Sequence, residues 1–554
     1  MDYREEYKRW LEHVQDAQLH AELLHMGDAE CRDAFYRELS FGTGGLRGTL
    51  GAGTNRMNTY VVAKASQGLA DWLGSGAGVV IGYDSRLKSD LFARTAAAVF
   101  AANGLHVYLF EELLPVPTVS YAVRRLGADA GVMITASHNP CQYNGYKVYG
   151  ADGCQITSDA AAQILREIRK LDVFADVRSA DFEAALADGR ISLIGEDLLT
   201  AYLAEVKAQS VLFGDEADRD VAIVYSPLNG TGLKPVTRVL AESGFTNVTV
   251  VAEQAEPDGT FPTCPAPNPE VREAMEIGLQ YCGRLNADLL LATDPDCDRC
   301  GIAVRDGDVY RLLSGNETGL LLLDYICSQK IKHGAMPPHP VFLKTIVTTQ
   351  LAEKLAACYG VKTRNVLTGF KYIGEAIGRL EQAGRAGDFV CAFEESYGYL
   401  TGPYVRDKDG VDAALMICEM FAVYKRRGLT LPERLRQLYT QFGFCLDTLH
   451  SYAFEGPDGM DRMTAIMARF RTGIAELCGQ PVVKITDYAP GLDGLPPADV
   501  LKLETADLSA VIRPSGTEPK LKLYLSVSAP DPGTARELEA ALTKELEALI
   551  LQKL

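Results

Sequence analysis

The sequence predicts an α/β protein of three similar domains, followed by a smaller α+β domain. Two observations lead to this prediction. The chain has 554 residues, which is too long for one hydrophobic core, so three to four domains are expected at about 150 residues each. One coarse pattern also occurs three times: an apolar strand, a helix and a further strand lead to a last strand that ends in a polar loop. We place the domains at residues 1–205, 206–312, 313–435 and 436–554.

The strands of the three repeats can be placed individually. The opening strands are predicted at residues 79–83, 221–225 and 340–344, and the closing strands at residues 131–134, 287–292 and 389–393. Short β-rich runs that alternate with helical segments of ten or more residues indicate α/β units with largely parallel pairing.

Both ends of the chain depart from this repeat. Near the start, apolar residues at helical spacing predict a docked amphipathic helix: Tyr3, Tyr7, Trp10, Leu11 and Val14. After about residue 430 the pattern changes. Leu521, Leu523, Leu525 and Val527 alternate there with Lys520, Lys522, Tyr524 and Ser526. This alternation predicts a half-buried strand in a smaller α+β domain.

Composition and charge exclude several classes of protein. The chain carries 55 Lys and Arg against 73 Asp and Glu, a net charge of −18, which argues against a nucleic-acid or anionic-membrane surface. No apolar stretch approaches the roughly 18 residues that a membrane span needs. The start of the chain is charged and lacks the apolar core of a signal peptide. Thirteen scattered cysteines form no disulfide framework, so we expect a cytoplasmic protein.

Each closing strand ends in a different polar loop: "TASHNP", "TDPDCDR" and "EESYGY". Ligands of open α/β sheets bind beyond the carboxyl ends of the strands. We therefore expect one cleft shared by the three domains. The alternative, three unrelated loops on separate surfaces, leaves the composition of each loop unexplained.

The loop "TDPDCDR" predicts a metal site. Pro295 opposes helix formation, so Asp294, Asp296 and Asp298 can turn toward one point, where a cation must offset their repulsion. An EF-hand is rejected because its Gly and Glu positions hold Arg299 and Arg305. Ligands that are all oxygen favour Mg²⁺. The alternative is an Asp-rich turn.

Two further loops carry phosphate-binding chemistry. "RPSGTEP" offers Arg513, Ser515, Gly516 and Thr517, which suit a phosphate monoester, although a simple turn is an equal alternative. "FGTGGLRG" does not have the spacing of a Walker A motif. Its Arg47 is nevertheless a fixed cation in a loop that can approach a ligand closely.

The loop "EESYGYLTGPYVRDKDG" combines acidic, hydroxyl and basic side chains. Glu394 and Ser396 suit sugar hydroxyls, and Arg406 and Lys408 suit a phosphate on the same sugar. Solvated loop charges are the alternative interpretation.

Ser137 lies just after the first closing strand, within "TASHNPCQYNGYK". A serine hydroxyl alone is a poor nucleophile, the hydrolase motif GxSxG is absent, and the adjacent His138 is poorly placed as its base. Exchange of a phosphoryl group instead needs Mg²⁺ and nearby cations. Arg47, Lys147 and Arg299 are the candidates for those cations.

Together these motifs resemble the α-D-phosphohexomutase family. "TASHNPCQYNGYK" resembles its phosphoserine loop, "DPDCDR" its metal loop, "EESYG" its sugar-binding loop and "RPSGTEPK" its phosphate-binding loop. "FGTGGLRG", "GYDSR" and "TGFKYIGE" also match, in the family's order. The longer runs "FGTGGLRGTLGAGTNRMN" and "DPDCDRCGIAV" are most similar to the branch of the family that holds phosphoglucomutase and phosphopentomutase.

The resemblance implies a fold and a set of residue roles. It implies three similar α/β domains with mixed sheets and a C-terminal α+β domain like the TATA-binding protein, around one central cleft. Ser137 would carry the phosphoryl group and, with the three aspartates, hold Mg²⁺. The implied substrate-binding residues are Arg299, Gly369, Lys371, Glu394, Ser396, Arg406, Arg513, Ser515, Gly516 and Thr517. Some members carry an acid/base His after the sugar-binding loop, where this chain has Gly398, Tyr399 and Leu400, so Lys147 and Lys408 are our candidates.

The implied activity interconverts glucose 1-phosphate and glucose 6-phosphate, with glucose 1,6-bisphosphate as intermediate and activator. Phosphomannomutase, phosphopentomutase and glucose 1,6-bisphosphate synthase are the alternatives within this class. An inactive sugar-phosphate-binding regulator and a phosphatase are alternatives of other classes. The expected partners are small sugar phosphates, and neither nucleic acid nor membrane is expected to bind. We expect a monomer or a homodimer.

Overall fold

The computed structural model describes residues 2–42, 44–454, 459–492, 494–514 and 520–552. The chain forms two compact units. The first comprises Met1–Gly315, Phe370–Ala392 and Ser396–Arg427, and the second comprises Asn316–Gly369, Phe393–Glu395 and Gly428–Leu554. Among the described residues, no helix combines the length and the apolar composition that crossing a bilayer requires.

The first repeat forms a six-stranded sheet with helices around it. Its helices are α1 Tyr3–His13, α2 Ala17–His25, α3 Asp28–Phe35, α4 Thr59–Leu73, α5 Ser89–Ala102, α6 Val116–Leu126, α7 Ser158–Lys170, α8 Phe182–Ala187 and α9 Glu196–Ala208. Its strands are β1 Leu46–Thr49, β2 Gly78–Tyr83, β3 His106–Phe110, β4 Ala130–Ile134, β5 Tyr143–Gly150 and β6 Ile191–Ile194, in the order β1-β5-β4-β2-β3-β6. Strands β4, β2, β3 and β6 are parallel, whereas β5 and β1 are antiparallel to their neighbours.

The second repeat forms a five-stranded sheet. Its helices are α10 Leu233–Glu242 and α11 Arg272–Leu285, with a 3₁₀ turn at Ala252–Gln254. Its strands are β7 Ile223–Ser226, β8 Val248–Val250, β9 Leu289–Thr293, β10 Cys300–Asp306 and β11 Val309–Leu313, in the order β11-β10-β9-β7-β8. β9, β7 and β8 are parallel, and β10 and β11 extend the sheet as antiparallel strands.

The third repeat has the same alternation of helices and strands. Its helices are α12 Gly315–Lys332, α13 Leu351–Cys358, α14 Phe370–Gln382, α15 Gly410–Arg426 and α16 Leu431–Phe442, with a 3₁₀ turn at Ala386–Asp388. Its strands are β12 Val341–Thr345, β13 Lys362–Val366, β14 Phe389–Glu394 and β15 Gly398–Leu400. β12 and β13 pair in parallel.

The C-terminal region is an α+β domain with an antiparallel sheet. Its helices are α17 Gly459–Arg471 and α18 Pro532–Leu551. Its strands are β16 Phe444–Ala453, β17 Glu476–Leu477, β18 Gln480–Pro481, β19 Lys484–Asp487, β20 Leu501–Glu504, β21 Leu508–Pro514 and β22 Lys520–Ala529. Five of them form the sheet, in the order β16-β22-β21-β20-β19. α18 buries Ala535, Leu542, Leu546 and Ile550 in the core that this sheet also lines.

All six predicted repeat strands are confirmed, each shifted by at most two residues. β4, β9 and β14 are buried at every position. Continuous burial requires a continuous apolar run, and such a run can be recognised in the sequence. The mixed sheets that the family resemblance implied are confirmed: beside the parallel strands, an antiparallel strand returns directly after each polar loop of the first two repeats. In β22 the predicted alternation is confirmed except that Tyr524 is buried as well.

Candidate functional site

Ser137 lies in the loop between β4 and β5, in the first unit. Its backbone is left-handed, with φ of 53°, a conformation that residues other than glycine rarely adopt. Its N–H donates to Thr135 Oγ1 at 2.8 Å, and its hydroxyl donates to Asp294 Oδ2 at 2.8 Å. Thr135 of its own loop thus fixes the backbone of Ser137, and Asp294, which is distant in sequence, contacts its side chain.

The three aspartates lie in the tight turn between β9 and β10. All three are buried, and one carboxylate oxygen from each lies within 4.8 Å of the others. The turn is shaped by Asp294, whose Oδ1 accepts the backbone N–H groups of Asp298 and Arg299 at 3.1 and 3.0 Å. The predicted convergence of the carboxylates is confirmed.

Two lysines offset part of this negative charge. Lys147 Nζ, from β5, lies 2.9 Å from Asp296 Oδ2 and 3.5 Å from Asp298 Oδ2. Lys408 Nζ lies 2.9 Å from Asp298 Oδ2. Both lysines are buried, so their charges act with little screening by water.

The carboxylates differ in their affinity for protons. Burial, together with the charges of Asp296 and Asp298, raises the pKa of Asp294 well above its ordinary value. Burial also disfavours the charged form of Asp296, but the charge and hydrogen bond of Lys147, the hydrogen bond with Asp294 and the charge of Lys408 together outweigh burial, so the pKa of Asp296 is lowered. Asp294 is therefore the member that most needs an additional positive charge to ionise.

The donor set fits a hard divalent cation. Among the described residues, Asp296 Oδ1 and Asp298 Oδ1 are buried without a hydrogen-bond partner, and leaving a buried carboxylate oxygen unpaired is costly. Three carboxylates and a serine hydroxyl are the oxygen ligands that Mg²⁺ prefers. Asp294, Asp296, Asp298 and the Ser137 oxygen can therefore hold such an ion.

His138 contacts the same hydroxyl. Its Nδ1 lies 3.1 Å from Ser137 Oγ. Burial and the charges of Arg299 and Arg47 lower its pKa to about 2, so the ring is neutral at physiological pH. A neutral imidazole at this distance can accept or donate a hydrogen bond but adds no charge.

Two arginines flank the loops. Arg47 pairs in register with Gly145 of β5, and its Nη1 donates to Asn139 Oδ1 of the serine loop at 3.3 Å. A Cβ at Gly145 would lie 2.4 Å from the Thr135 carbonyl oxygen, so glycine permits this close approach. Arg299 pairs with Glu270 at 2.5 Å.

The segment 406–409 carries four successive charged residues, and all four are buried. Each binds a different element: Arg406 binds Glu381, Asp407 binds Tyr149, Lys408 binds Asp298 and Asp409 binds Tyr202. The guanidinium of Arg406 also donates to the carbonyls of Pro403 and Val405. Lys408 thus reaches the aspartate loop, whereas the Nη1 and Nη2 donors of Arg406 bind Pro403, Val405 and Glu381.

Lys371 and Ser396 also belong to the first unit. Lys371 Nζ lies 4.8 Å from the centre of the Tyr372 ring, and its carbonyl accepts from Cys154 Sγ. Ser396 is half-buried in the turn after β14. Neither has a described contact with Ser137 or the aspartates.

The second unit brings together other predicted residues. Glu394 is buried at the end of β14. Arg513 hydrogen-bonds Tyr524, and burial with the neighbouring Glu395 and Glu394 raises the pKa of Tyr524 to about 12. Glu395 instead accepts from two threonine hydroxyls, of Thr345 and Thr348. Gly369 has φ of 115° and open space at its Cβ position, and Ser515, Gly516 and Thr517 lie outside the described residues.

Sequence reasoning missed two residues that hold the site together. Thr135 Oγ1 accepts from Ser137 and donates to Asp296 Oδ2 at 3.1 Å. Arg86 donates to carbonyls of the serine loop. Both lie in motifs that we had matched, "TASHNP" and "GYDSR", so a signal was present, but a motif match alone does not say which contact a residue makes.

Comparison with known proteins gives three family matches. The models described as phosphoglucomutase/phosphomannomutase, alpha/beta/alpha domains I, II and III match residues 38–173, 200–307 and 314–442. A phosphoglucomutase of Staphylococcus saprophyticus is 35% identical over 534 residues, which cover 94% of this chain and 96% of the relative. One of Staphylococcus epidermidis is 38% identical over 518 residues, which cover 90% and 92%.

Solved structures share the fold. A phosphoglucomutase/phosphomannomutase family protein from Burkholderia thailandensis has a TM-score of 0.67 at 19% identity, covering 92% of this chain and 97% of that one. An Aspergillus fumigatus N-acetylphosphoglucosamine mutase in complex with GlcNAc-6P and magnesium has a TM-score of 0.51 at 13% identity, covering 99% of each chain.

Proposed function

Since the chain belongs to the phosphoglucomutase/phosphomannomutase family, we propose that it interconverts glucose 1-phosphate and glucose 6-phosphate, with Ser137 as phosphoryl carrier. The observation that carries the proposal is the 2.8 Å contact between the Ser137 hydroxyl and Asp294, one of three converging buried aspartates. The names of the 35–38% identical relatives support glucose phosphates as substrates.

The proposed reaction has two phosphoryl transfers. Phosphoserine 137 gives its phosphoryl group to the C6 hydroxyl of glucose 1-phosphate, so that the P–O bond to serine breaks, one to the C6 oxygen forms and the hydroxyl proton ends on the Ser137 oxygen; the second transfer moves a proton from Ser137 to the C1 oxygen. The glucose 1,6-bisphosphate then returns its C1 phosphoryl group to the Ser137 oxygen, which leaves glucose 6-phosphate and the phosphoenzyme. No net water or phosphate is consumed.

Asp294, Asp296 and Asp298 would hold Mg²⁺, which when bound offsets charge on the phosphoryl oxygens. The magnesium in the Aspergillus mutase complex supports this assignment. Within the chain, the ion pairs with Asp296 and Asp298 outweigh burial and raise the pKa of Lys147. Lys147 therefore suits a fixed cation, and Lys408 is the remaining candidate for exchanging the sugar hydroxyl proton.

The second unit would bind the sugar phosphate itself. We assign the sugar hydroxyls to Glu394, because a buried carboxylate accepts hydrogen bonds strongly. Arg513 is our candidate for binding the phosphate that is not reacting, since the two parallel N–H donors of a guanidinium can bind two phosphate oxygens at once. Ser515, Gly516 and Thr517 follow Arg513 in the sequence and share this proposed role.

The decisive assay compares glucose 1-phosphate, mannose 1-phosphate and ribose 1-phosphate side by side, with inorganic phosphate release measured in parallel. We expect glucose 1-phosphate to be used best, without steady release of phosphate. Preference for mannose or ribose would establish phosphomannomutase or phosphopentomutase. Steady phosphate release would establish a phosphatase, and binding without turnover a regulator.

A second experiment tests the carrier. Peptide mapping of active enzyme should find one phosphate within residues 135–147. Ser137→Ala should abolish turnover and leave the fold intact, whereas Ser179→Ala, at an exposed serine, should change neither. Near-normal turnover by Ser137→Ala would overturn the proposed mechanism.

A further inference from the structure

One buried arginine is bonded to the serine loop at four points. Arg86 is 3% exposed. Its Nη1 donates to the carbonyl oxygens of Pro140 and Tyr143, both at 3.0 Å. Its Nη2 donates to those of Ser137 and Asn139. All four terminal N–H groups of one guanidinium are therefore directed at the backbone of the loop that carries Ser137.

The position of Arg86 is itself fixed from the first repeat. Asp84 Oδ2 lies 3.5 Å from Arg86 Nε, and Asp84 Oδ1 accepts the backbone N–H of Arg86 at 2.9 Å. Asp84 also accepts the hydroxyl of Ser89 at 2.8 Å. A paired counter-ion of this kind makes a buried guanidinium tolerable.

A loop of the second repeat covers Arg86 from the other side. Gly259 forms a β-bridge with Arg86, and the Phe261 ring centre lies 5.0 Å from the guanidinium carbon. A Cβ at Gly259 would lie 2.4 Å from the backbone nitrogen of Leu87 and 2.6 Å from the carbonyl oxygen of Ser85. The two repeats therefore meet closely here, and glycine is what permits the contact.

The loop needs such a restraint. Ser137 has a left-handed backbone, and a residue in this region remains there only when its surroundings over-determine it. Arginine is charged at all relevant pH values and its donors form a rigid fork. Four hydrogen bonds from one rigid cation fix the loop carbonyls relative to one another.

We propose that Arg86 is a positioning residue that fixes the Ser137 loop, and that the 259–261 loop completes this restraint. The inference rests on the proposed phosphoryl transfer by Ser137. In the proposed cycle the same Ser137 oxygen gives and receives the phosphoryl group beside the aspartates, one of which, Asp294, its free hydroxyl contacts at 2.8 Å, so the loop must keep that oxygen in place. A displacement of about 1 Å in such a step can cost about a hundredfold in rate.

The test uses Arg86→Lys and Gly259→Ala, with Gly283→Ala as the matched control. Gly283 lies in α11 of the same repeat and has open space at its Cβ position. For each purified variant, hydrogen exchange of residues 136–143, kcat and KM for glucose 1-phosphate are measured. Gly259→Ala retains every side chain of the site, so it remains informative if Arg86→Lys fails to fold.

We expect faster exchange in the loop for both test variants, a fall in kcat of at least about tenfold, up to about a hundredfold, and KM within about twofold of wild type. Gly283→Ala should match wild type in all three measurements. Unchanged loop exchange in Gly259→Ala and Arg86→Lys would overturn the inference. So would an unchanged kcat alongside reduced thermal stability, since that is the result of a purely structural role.

These outcomes separate the inference from the proposed function. If wild-type enzyme carries no phosphate on Ser137 and has no mutase activity, the proposed function fails. Hydrogen exchange still reports on the loop in that case. If wild type is an active phosphoenzyme and the exchange and kcat of both variants equal those of the control, only the inference fails.

Discussion

The Thr135 hydroxyl offers the sharpest test of how the serine and aspartate loops are joined. It accepts the Ser137 N–H at 2.8 Å and donates to Asp296 Oδ2 at 3.1 Å, and the side chain is 1% exposed. Thr135→Val keeps the shape of the side chain and removes the hydroxyl. Thr135→Ser keeps the hydroxyl and removes the methyl group.

The magnitude follows from the buried N–H. In Thr135→Val, the productive loop leaves the Ser137 N–H without its partner, which costs about 1–3 kcal/mol. In a displaced loop this N–H can bind water instead. Relative to the productive loop, the displaced loop is therefore stabilised by up to that amount. Because 1.36 kcal/mol is a factor of ten, the ratio of productive to displaced loop should fall about 5- to 150-fold, and this factor sets the largest expected fall in kcat.

The assay is steady-state kcat with glucose 1-phosphate at saturating Mg²⁺, with circular dichroism to show that each variant is folded. We expect Thr135→Ser to retain most of the wild-type rate. The reasoning is refuted if folded Thr135→Val and Thr135→Ser have kcat values within twofold of each other.

Three further predictions concern other buried groups. Burial and the neighbouring Asp409 raise the pKa of Asp412 from 3.8 to about 8, so its contribution to stability is complete below about pH 4 and is lost as pH rises through 8. Over this range the melting temperature should therefore fall less in Asp412→Asn than in wild type. Equal falls in melting temperature for the two proteins would contradict this. Cys297 is fully buried and its thiol pKa is raised, whereas Cys358 is exposed, so iodoacetamide should modify Cys358 and spare Cys297 in mass mapping; early labelling of Cys297 would show that the aspartate turn opens. Glu394→Gln should slow single-turnover transfer from phosphoenzyme to glucose 1-phosphate and to glucose 6-phosphate by roughly tenfold or more each, since a hydrogen bond to a charged group contributes about 1.5–3 kcal/mol; a loss with one acceptor only would show that Glu394 serves one orientation of the sugar.

The strands and the convergence of the three aspartates could be predicted because their signals are local. β4 and β9 are continuous apolar runs, and each is followed directly by a polar loop that marks its end. The spacing of the three aspartates, with Pro295 among them, also excludes a helix. Such features depend on neighbours along the chain, so sequence alone carries them.

Partners across the fold could not be predicted, because sequence shows a charge without showing what neutralises it. The run Arg406 to Asp409 has the composition of a solvated loop, yet all four side chains are buried. Each has a counterpart from another element, such as Glu381 for Arg406 and Tyr202 for Asp409. Arg86 was missed for a related reason. Its partners are main-chain carbonyl groups, which every residue has, so no residue type in the sequence identifies them.

The charges around the aspartate turn bear on the proposed combination of lysines, metal ion and phosphoserine. With all three carboxylates ionised, the ammonium groups of Lys147 and Lys408 leave about one negative charge, and the raised pKa of Asp294 means that its ionisation requires a further cation. A bound divalent cation would reverse that sign, and a phosphoserine, with a charge of about −1.5 to −2, would bring it back near its starting value. In the proposed cycle, the dephosphorylated form with metal would then be the cationic one, and it is also the form that would have to retain the bisphosphate. With no lysine here, the same metal would leave the site negative and repel the intermediate. In the proposed cycle, Lys147 and Lys408 would therefore set the sign of the local charge at the step where loss of the intermediate would end turnover.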